Sequence, residues 1–521
     1  MVLSEIFKKY LKHKEEEEKK HKEETITVNE AAGVIAFYFE KIRNIVDYQD
    51  EHLLRQNAIR RILNRRFLLQ QASKDVAEGL VKELVRSRYF ANNTLPSKAI
   101  QDVALILKRY VDVILSLKKR RICSDKDRDW LLWMAACMID EHLSTLRAEE
   151  ALVALMSDVM DPVSVIEYPG LTPQMRGVQL QIAAYRILLR PDINRLRFFL
   201  LKKCAPQWVG LDHSDAEELA REYVSLRKNI DQIIHHPIGR KLLVSFRRFR
   251  IPFAVLHTII RNNGHELLEK KELFEREVRR ICEGMVMVQR RRLVTRTIRA
   301  FIYIFLTKML LGIAVELPYD LMVLHHINKI PLLVNIIFPP FLIASITLTV
   351  RYPNEKNTDA VWHAICEIVY PDTPKEIFGE QRYAPDRKRY LLMTIFTILY
   401  LVLFGISFGF IGWILYKLGF TIVSGTLFFI FFCLITFFGI TLRRSVRDLV
   451  VLKVKPTFFM MFIDSFFLPI MQVGRWLSFN ISRINIFVFI FDILIEVPLQ
   501  ALIEITEEWF TFIKEKKEQL E

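Results

Sequence analysis

Two textures meet near residue 299. Before that point, apolar residues recur three and four apart among abundant charges. Ile35, Phe39, Ile42, Val46, Leu53 and Leu54 draw one stripe, and Trp130, Leu131, Met134, Cys137 and Met138 draw another. This spacing turns one side of each segment toward a core and predicts amphipathic helices. Thr27-x-x-Glu30, Ser124-x-x-Asp127 and Ser214-x-x-Glu217 read as capping boxes that open three of them. Prolines punctuate the region, no alternating strand pattern recurs, and no fixed-length repeat is present. EYPGLTPQ (167–174) is the clearest loop and a candidate divide between two helical subdomains.

Beyond residue 299 the runs are almost free of charge. AFIYIFLTKMLLGIAV begins at Ala300, and Ile330 to Val350 holds no charged residue. The stretches 391–416 and 418–442 carry none either, and Lys417 stands alone between them. The last three runs are each long enough to cross a bilayer as a helix, which takes about 20 apolar residues, and the first is read as a span from its place directly after the basic stretch. Two hairpins result, at 300–350 and 391–442. Pro339-Pro340 predicts a kink in the second span.

The C-terminal part, 456–521, is apolar but not clean. Asp464 interrupts one segment, and Asp492 and Glu496 interrupt the next. Asp492, Glu496, Gln500, Glu504 and Glu508 recur every four residues and form one polar stripe. That pattern predicts amphipathic or re-entrant helices.

The expected fold class is therefore all-α. A charged amphipathic tail (1–26) leads into a cytoplasmic all-helical domain (27–299). A multi-pass helical membrane domain of about four spans follows, with a cytoplasmic polar loop at 351–390 and the amphipathic C-terminal helices last.

Charge sets the orientation. Lysine and arginine outnumber aspartate and glutamate by 74 to 59, a formal +15. Between 270 and 299 there are ten basic residues against four glutamates, immediately before the first apolar run. Arg351 follows the second run, and Arg443, Arg444 and Arg447 follow the fourth. By the positive-inside rule these ends, the N-terminal domain and the C-terminal tail share the cytoplasmic side. The start of the chain lacks the apolar core of a signal peptide. The expected location is an inner (plasma) membrane of bacterial type, with both termini inside.

The same excess of charge points to anionic partners: lipid headgroups foremost, then a cytoplasmic protein, with a homo-oligomer compatible. Arg247, Arg248 and Arg250 flank Phe249, and Arg290, Arg291 and Arg292 form a second basic surface. Arginines interleaved with aromatics also occur where nucleic-acid bases stack. No RNA-recognition or helix-turn-helix signature accompanies them, so nucleic acid is the weaker expectation.

Chemistry is sparse. The six cysteines are scattered and form no C-x-x-C pair, which excludes a disulfide framework and a zinc knuckle. No phosphate-binding loop, H-E-x-x-H or dinucleotide fingerprint occurs, and neither a catalytic residue, a cofactor nor a metal site is expected. Gly405-Ile406-Ser407-Phe408-Gly409 spells G-x-S-x-G, but the nucleophile elbow needs a strand-to-helix turn. Mid-span, Gly405 and Gly409 read as a helix-packing face.

One run carries charge where charge is costly. Lys308 lies about nine residues, or roughly 13 Å, into the first span. It needs a carboxylate, a carbonyl or a wet cavity. Glu316, Asp464, Asp492 and Glu496 are its candidate partners in an intramembrane charge network. The competing reading puts Glu316 at the outer end of the span and Asp320 already in water. Two function classes remain: a membrane-tethered helical scaffold or recruitment module, and an ion or small-solute transporter built on Lys308 and those carboxylates.

Overall fold

A computed structural model describes residues 51–69, 74–144, 147–210, 215–262, 267–268, 270–311, 315–324, 329–348, 350, 352–370, 373–374, 376–385, 390–447, 449–452 and 458–483, and a few positions before residue 51. The fold is all-α. Among the described residues, strand occurs only as one parallel pair, β1 (Ser164–Ile166) on β2 (Gln381–Tyr383), three residues each. The described residues form two compact units. One covers 5–244 with 381–383, and the other covers 245–380 and 384–485.

The first unit contains α1 (Glu51–Leu69), α2 (Lys74–Arg86), α3 (Lys98–Lys119), α4 (Asp125–Leu143), α5 (Arg147–Met160), α6 (Pro173–Leu188), α7 (Ile193–Cys204) and α8 (Ala216–Ile234). α9 (Pro237–Phe246) straddles the boundary. Local chemistry sets the helix starts. The Ser124–Asp127 capping box opens α4, with each side chain satisfying a free backbone N–H of the first turn. Thr172 caps α6, with Pro173 at the first helical position. α8 is capped by Asp215, which accepts from the Glu217 N–H, one residue beyond the expected Ser214. The Thr27–Glu30 box lies outside the described residues.

α4 runs through the middle of this unit and packs on α1, α3 and α7. Trp130, Tyr110, Trp208 and Tyr223 bury their rings between helices, with Trp130 edge-on to Tyr223 at 5.5 Å. Asp140, wholly buried, accepts from Arg55 and from Gln56 Nε2 at 2.8 Å. The loop 167–174 does not separate two bodies, since the helices on both sides of it belong to this one unit.

The second unit begins with α10 (Arg250–Arg261), the 41-residue α11 (Lys271–Leu311) and α13 (Glu355–Val369). Phe274 of α11 meets Trp362 of α13 edge-on at 5.4 Å, and Arg279 reaches Asp359 at 2.8 Å. Within the polar segment 351–390, the described residues 355–369 form α13 and residues 376–378 fold back on it. The Glu367 carboxylate accepts from the backbone N–H groups of Glu376, Ile377 and Phe378 at 2.7–3.0 Å, which fixes Phe378 against Phe249 and Phe253.

The remaining helices are α12 (Lys329–Leu348), α14 (Tyr390–Lys417), α15 (Ile422–Arg447) and α16 (Phe458–Arg483). Three stretches, Lys329–Leu348, Met393–Lys417 and Ile422–Leu442, are long and apolar enough to cross a membrane. The first apolar run, from Ala300, is not a separate helix. It is the last three turns of α11, continuous with the charged turns before it. α12 holds Pro339 and Pro340 inside a continuous helix.

Contacts give the directions. Phe338 meets Phe428 at 5.1 Å, Ile343 shares a cluster with Phe431 and Ile435, and Ile346 lies against Gly439. α12 and α15 are therefore parallel. α11 runs against both: Leu293 packs on Leu442 and Val446, Thr297 Oγ1 lies 3.2 Å from Thr347 Oγ1, and Lys308 sits beside Phe431. Two consecutive hairpins produce this arrangement.

Candidate functional site

α11 ends at Leu311, and π-helical turns at 315–316 and 320–324 flank the short turn Leu317–Tyr319. Such turns are rare and cluster at functional sites. Here they return the chain to the bundle instead of releasing it to solvent. Glu316 is only 2% exposed and Asp320 5%, so neither sits at a wet outer end. The expectation of Asp320 in water is corrected: it is buried, and Glu316, four residues before it, is bonded to Asn335 of α12.

Lys308 lies on the last turn of α11 and is 2% exposed. Its ammonium stands 4.8 Å from the centroid of the Phe431 ring, a cation–π contact. Among the described residues, its Nζ has no hydrogen-bond partner. Glu316 lies within electrostatic reach of both Lys308 and Asp320.

Asn335 completes the group. It is 1% exposed and donates from Nδ2 to Glu316 Oε1 at 2.8 Å and to the Ser424 carbonyl at 3.4 Å. The opposite acceptors are unused. Among the described residues, Glu316 Oε2, Asp320 Oδ1 and Asn335 Oδ1 have no hydrogen-bond partner. Pro339, four residues after Asn335, has no N–H to return to the Asn335 carbonyl. Buried polar atoms are almost always paired. A set of four side chains that leaves one donor and three acceptors free is chemically unfinished.

The other expected members are elsewhere. Asp464 is exposed on α16 and is not gathered into the cluster, because its segment buries the opposite side, at Pro469 and Ile470. Asp492 and Glu496 lie outside the described residues. Asn335 was not singled out from the sequence, although a lone amide in an uncharged run, four residues before a proline, was the available signal.

The glycine face also differs from expectation. A Cβ added at Gly405 or Gly409 meets nothing within 4 Å among the described residues. The close approaches are made by Gly439, where a Cβ would come within 2.6 Å of Ile346, and by Gly474, where it would overlap the Cys433 carbonyl. Between the two predicted glycines, Ser407 is wholly buried and donates to the Phe466 carbonyl at 2.7 Å. Its hydroxyl joins α14 to α16, and the G-x-S-x-G string lies within a continuous helix.

The two basic surfaces part company. Phe249 is fully buried against Phe378, so it offers no stacking platform, and Arg248 packs its guanidinium 4.4 Å from the Phe249 ring centroid. Arg247 is exposed, and Arg250 is half-buried. Arg290, Arg291 and Arg292 are all exposed, with Arg290 lying 5.9 Å over the Tyr352 ring. They adjoin Leu293, which is buried against Leu442 and Val446 at the end of the bundle where α15 continues to Arg443, Arg444 and Arg447. Basic residues collect at this end, and the Glu316–Asn335 contact lies toward the other.

No protein-family model, curated protein or solved structure matches this chain. The chain is all-α, and among its described residues three helices are apolar and long enough to cross a membrane.

Proposed function

We propose that this is an integral membrane protein that holds a large basic helical domain at the cytoplasmic face, where that domain recruits an anionic or protein partner. The observation that carries this reading is α11. One unbroken 41-residue helix runs from turns packed on α13, past exposed Arg290, Arg291 and Arg292, into buried contacts of the apolar bundle. Arginines where apolar contacts begin orient that end inward and attract anionic headgroups at about 1 kcal/mol each. Five of the first unit's arginines, Arg55, Arg60, Arg65, Arg197 and Arg227, are engaged in internal ion pairs. The test is purification of the full chain in mild detergent. An acidic protein or anionic polymer should co-purify in stoichiometric amount and leave at high salt. Recovery of lipid alone would contradict recruitment.

A second reading, ion or small-solute transport, is favoured by one specific observation: the buried cluster of Lys308, Glu316, Asp320 and Asn335, whose donor and acceptors lack partners among the described residues. Proteoliposome flux that Lys308→Leu abolishes would establish it over the scaffold reading.

A further inference from the structure

The buried cluster contains one ammonium and two carboxylates. Fully ionised, it carries one uncompensated negative charge in a setting where an unpaired buried charge is very costly. One added positive charge makes the group neutral, whereas a divalent ion would overshoot by one. The free atoms fit the same requirement: among the described residues, Glu316 Oε2, Asp320 Oδ1 and Asn335 Oδ1 are oxygen acceptors without donors. The Asn335 carbonyl lacks its helical donor because position 339 is proline. Broken or irregular helices that present carboxylates and freed carbonyls are how helical membrane proteins bind protons and sodium.

We infer that Lys308, Glu316, Asp320 and Asn335 form a binding site for one exchangeable monovalent positive charge, a proton or a small alkali cation. Lys308 acts as a tethered cation that balances one carboxylate, and the exchangeable charge balances the other. Asn335 positions Glu316 by its 2.8 Å hydrogen bond, leaving Oε2 free. α12 and α15, the helices packed against the site, add no charged group to it among their described side chains. Lys329 is exposed at the start of α12, and the titratable Cys433 of α15 packs against Gly474 instead. The inference deepens the transport reading by naming its ligand class. It concerns binding alone, so absence of flux leaves it standing.

The experiment uses the full chain in nanodiscs and dicyclohexylcarbodiimide, an apolar reagent that modifies protonated buried carboxyls. Modified peptides are mapped by mass spectrometry from about pH 5.5 to 9, a range that spans the ionisation of buried carboxyls in general, with sodium, potassium or choline chloride at constant ionic strength. Modification at Glu316 or Asp320 should fall as the exchangeable proton leaves. A fall with pH alone identifies the proton, and a further fall with sodium or potassium at fixed pH identifies the cation. Failure of both carboxyls to react under every condition, or reaction independent of pH and cation, overturns the proposal. Lys308→Gln gives a second reading, with circular dichroism as the folding check. Loss of the tethered cation should raise the pH of half-modification by about one unit or more, a tenfold gain in proton affinity. An unchanged profile in folded Lys308→Gln also overturns it. If that variant does not fold, the wild-type series decides.

Discussion

The Asn335 amide joins three elements at one point. It donates to Glu316 Oε1 at 2.8 Å and to the Ser424 carbonyl at 3.4 Å, tying the turn after α11 to α12 and α15. Removing it strips Glu316 of its donor while leaving the carboxylate buried. Asn335→Leu should therefore lower stability in detergent by about 1–2 kcal/mol, the upper range for hydrogen bonds between membrane helices. Thermal unfolding checks this, and an unchanged midpoint would show that the contact holds nothing together.

Of the described glycines, Gly474 has the tightest surroundings. A Cβ there would overlap the Cys433 carbonyl and come within 2.9 Å of Phe437 Cβ. Backbone cannot yield as a flexible side chain does. Gly474→Ala should destabilise the α15–α16 pair by about 1–3 kcal/mol, as overpacking does. Gly405→Leu with Gly409→Leu should be nearly neutral, because those positions face open space in the single chain. A larger loss from the Gly405/Gly409 pair than from Gly474→Ala would reverse this assignment.

Ser407→Ala removes the hydroxyl that donates to the Phe466 carbonyl, one turn before Pro469. The expected loss is about 0.5–1.5 kcal/mol, the net worth of one hydrogen bond. No hydrolytic activity should disappear with it. Fluorophosphonate labelling at Ser407 in the wild type would show the packing role to be wrong.

In the first unit, Asp127 accepts from Ser124 Oγ and N–H, from Tyr223 Oη at 2.9 Å and from Arg227. Burial raises its pKa, but hydrogen bonds from Ser124 and Tyr223 and the charge of Arg227 outweigh that and hold it below the usual carboxylate value. A depressed folded pKa gives stability that is present above the unfolded value and lost as pH falls through the folded one. Asp127→Asn should cost about 1 kcal/mol near neutrality, a typical capping loss. The gap from wild type should close below about pH 4. Urea titrations at several pH values measure it, and a gap that persists in acid would refute the ionic contribution.

Local signals were legible in the sequence, and tertiary ones were only partly so. The Ser124–Asp127 box formed as read because its hydrogen bonds close within four residues. Lys308 and Glu316 lie within electrostatic reach of one another, but not as neighbours on one continuous helix. α11 ends between them and the π-helical turns bring Glu316 back. Asn335 escaped notice because its meaning depends on which helices flank α12. Phe249 reads as a surface ring among arginines, yet the Glu367 carboxylate folds residues 376–378 over it, a contact between positions more than 100 residues apart. The β1–β2 pair, at three residues a strand, is too short to show alternation.

In the proposed topology the apolar bundle crosses a membrane with the basic end and the helical domain inside. Membrane-impermeant maleimide labelling of cysteines tests it most directly. Native Cys204 is exposed in the first unit, and Lys417→Cys places a thiol at the turn between α14 and α15. The predicted result is labelling of Lys417→Cys in intact cells, with Cys204 labelled only after permeabilisation. Labelling of Cys204 in intact cells, or of both positions only after permeabilisation, would contradict it.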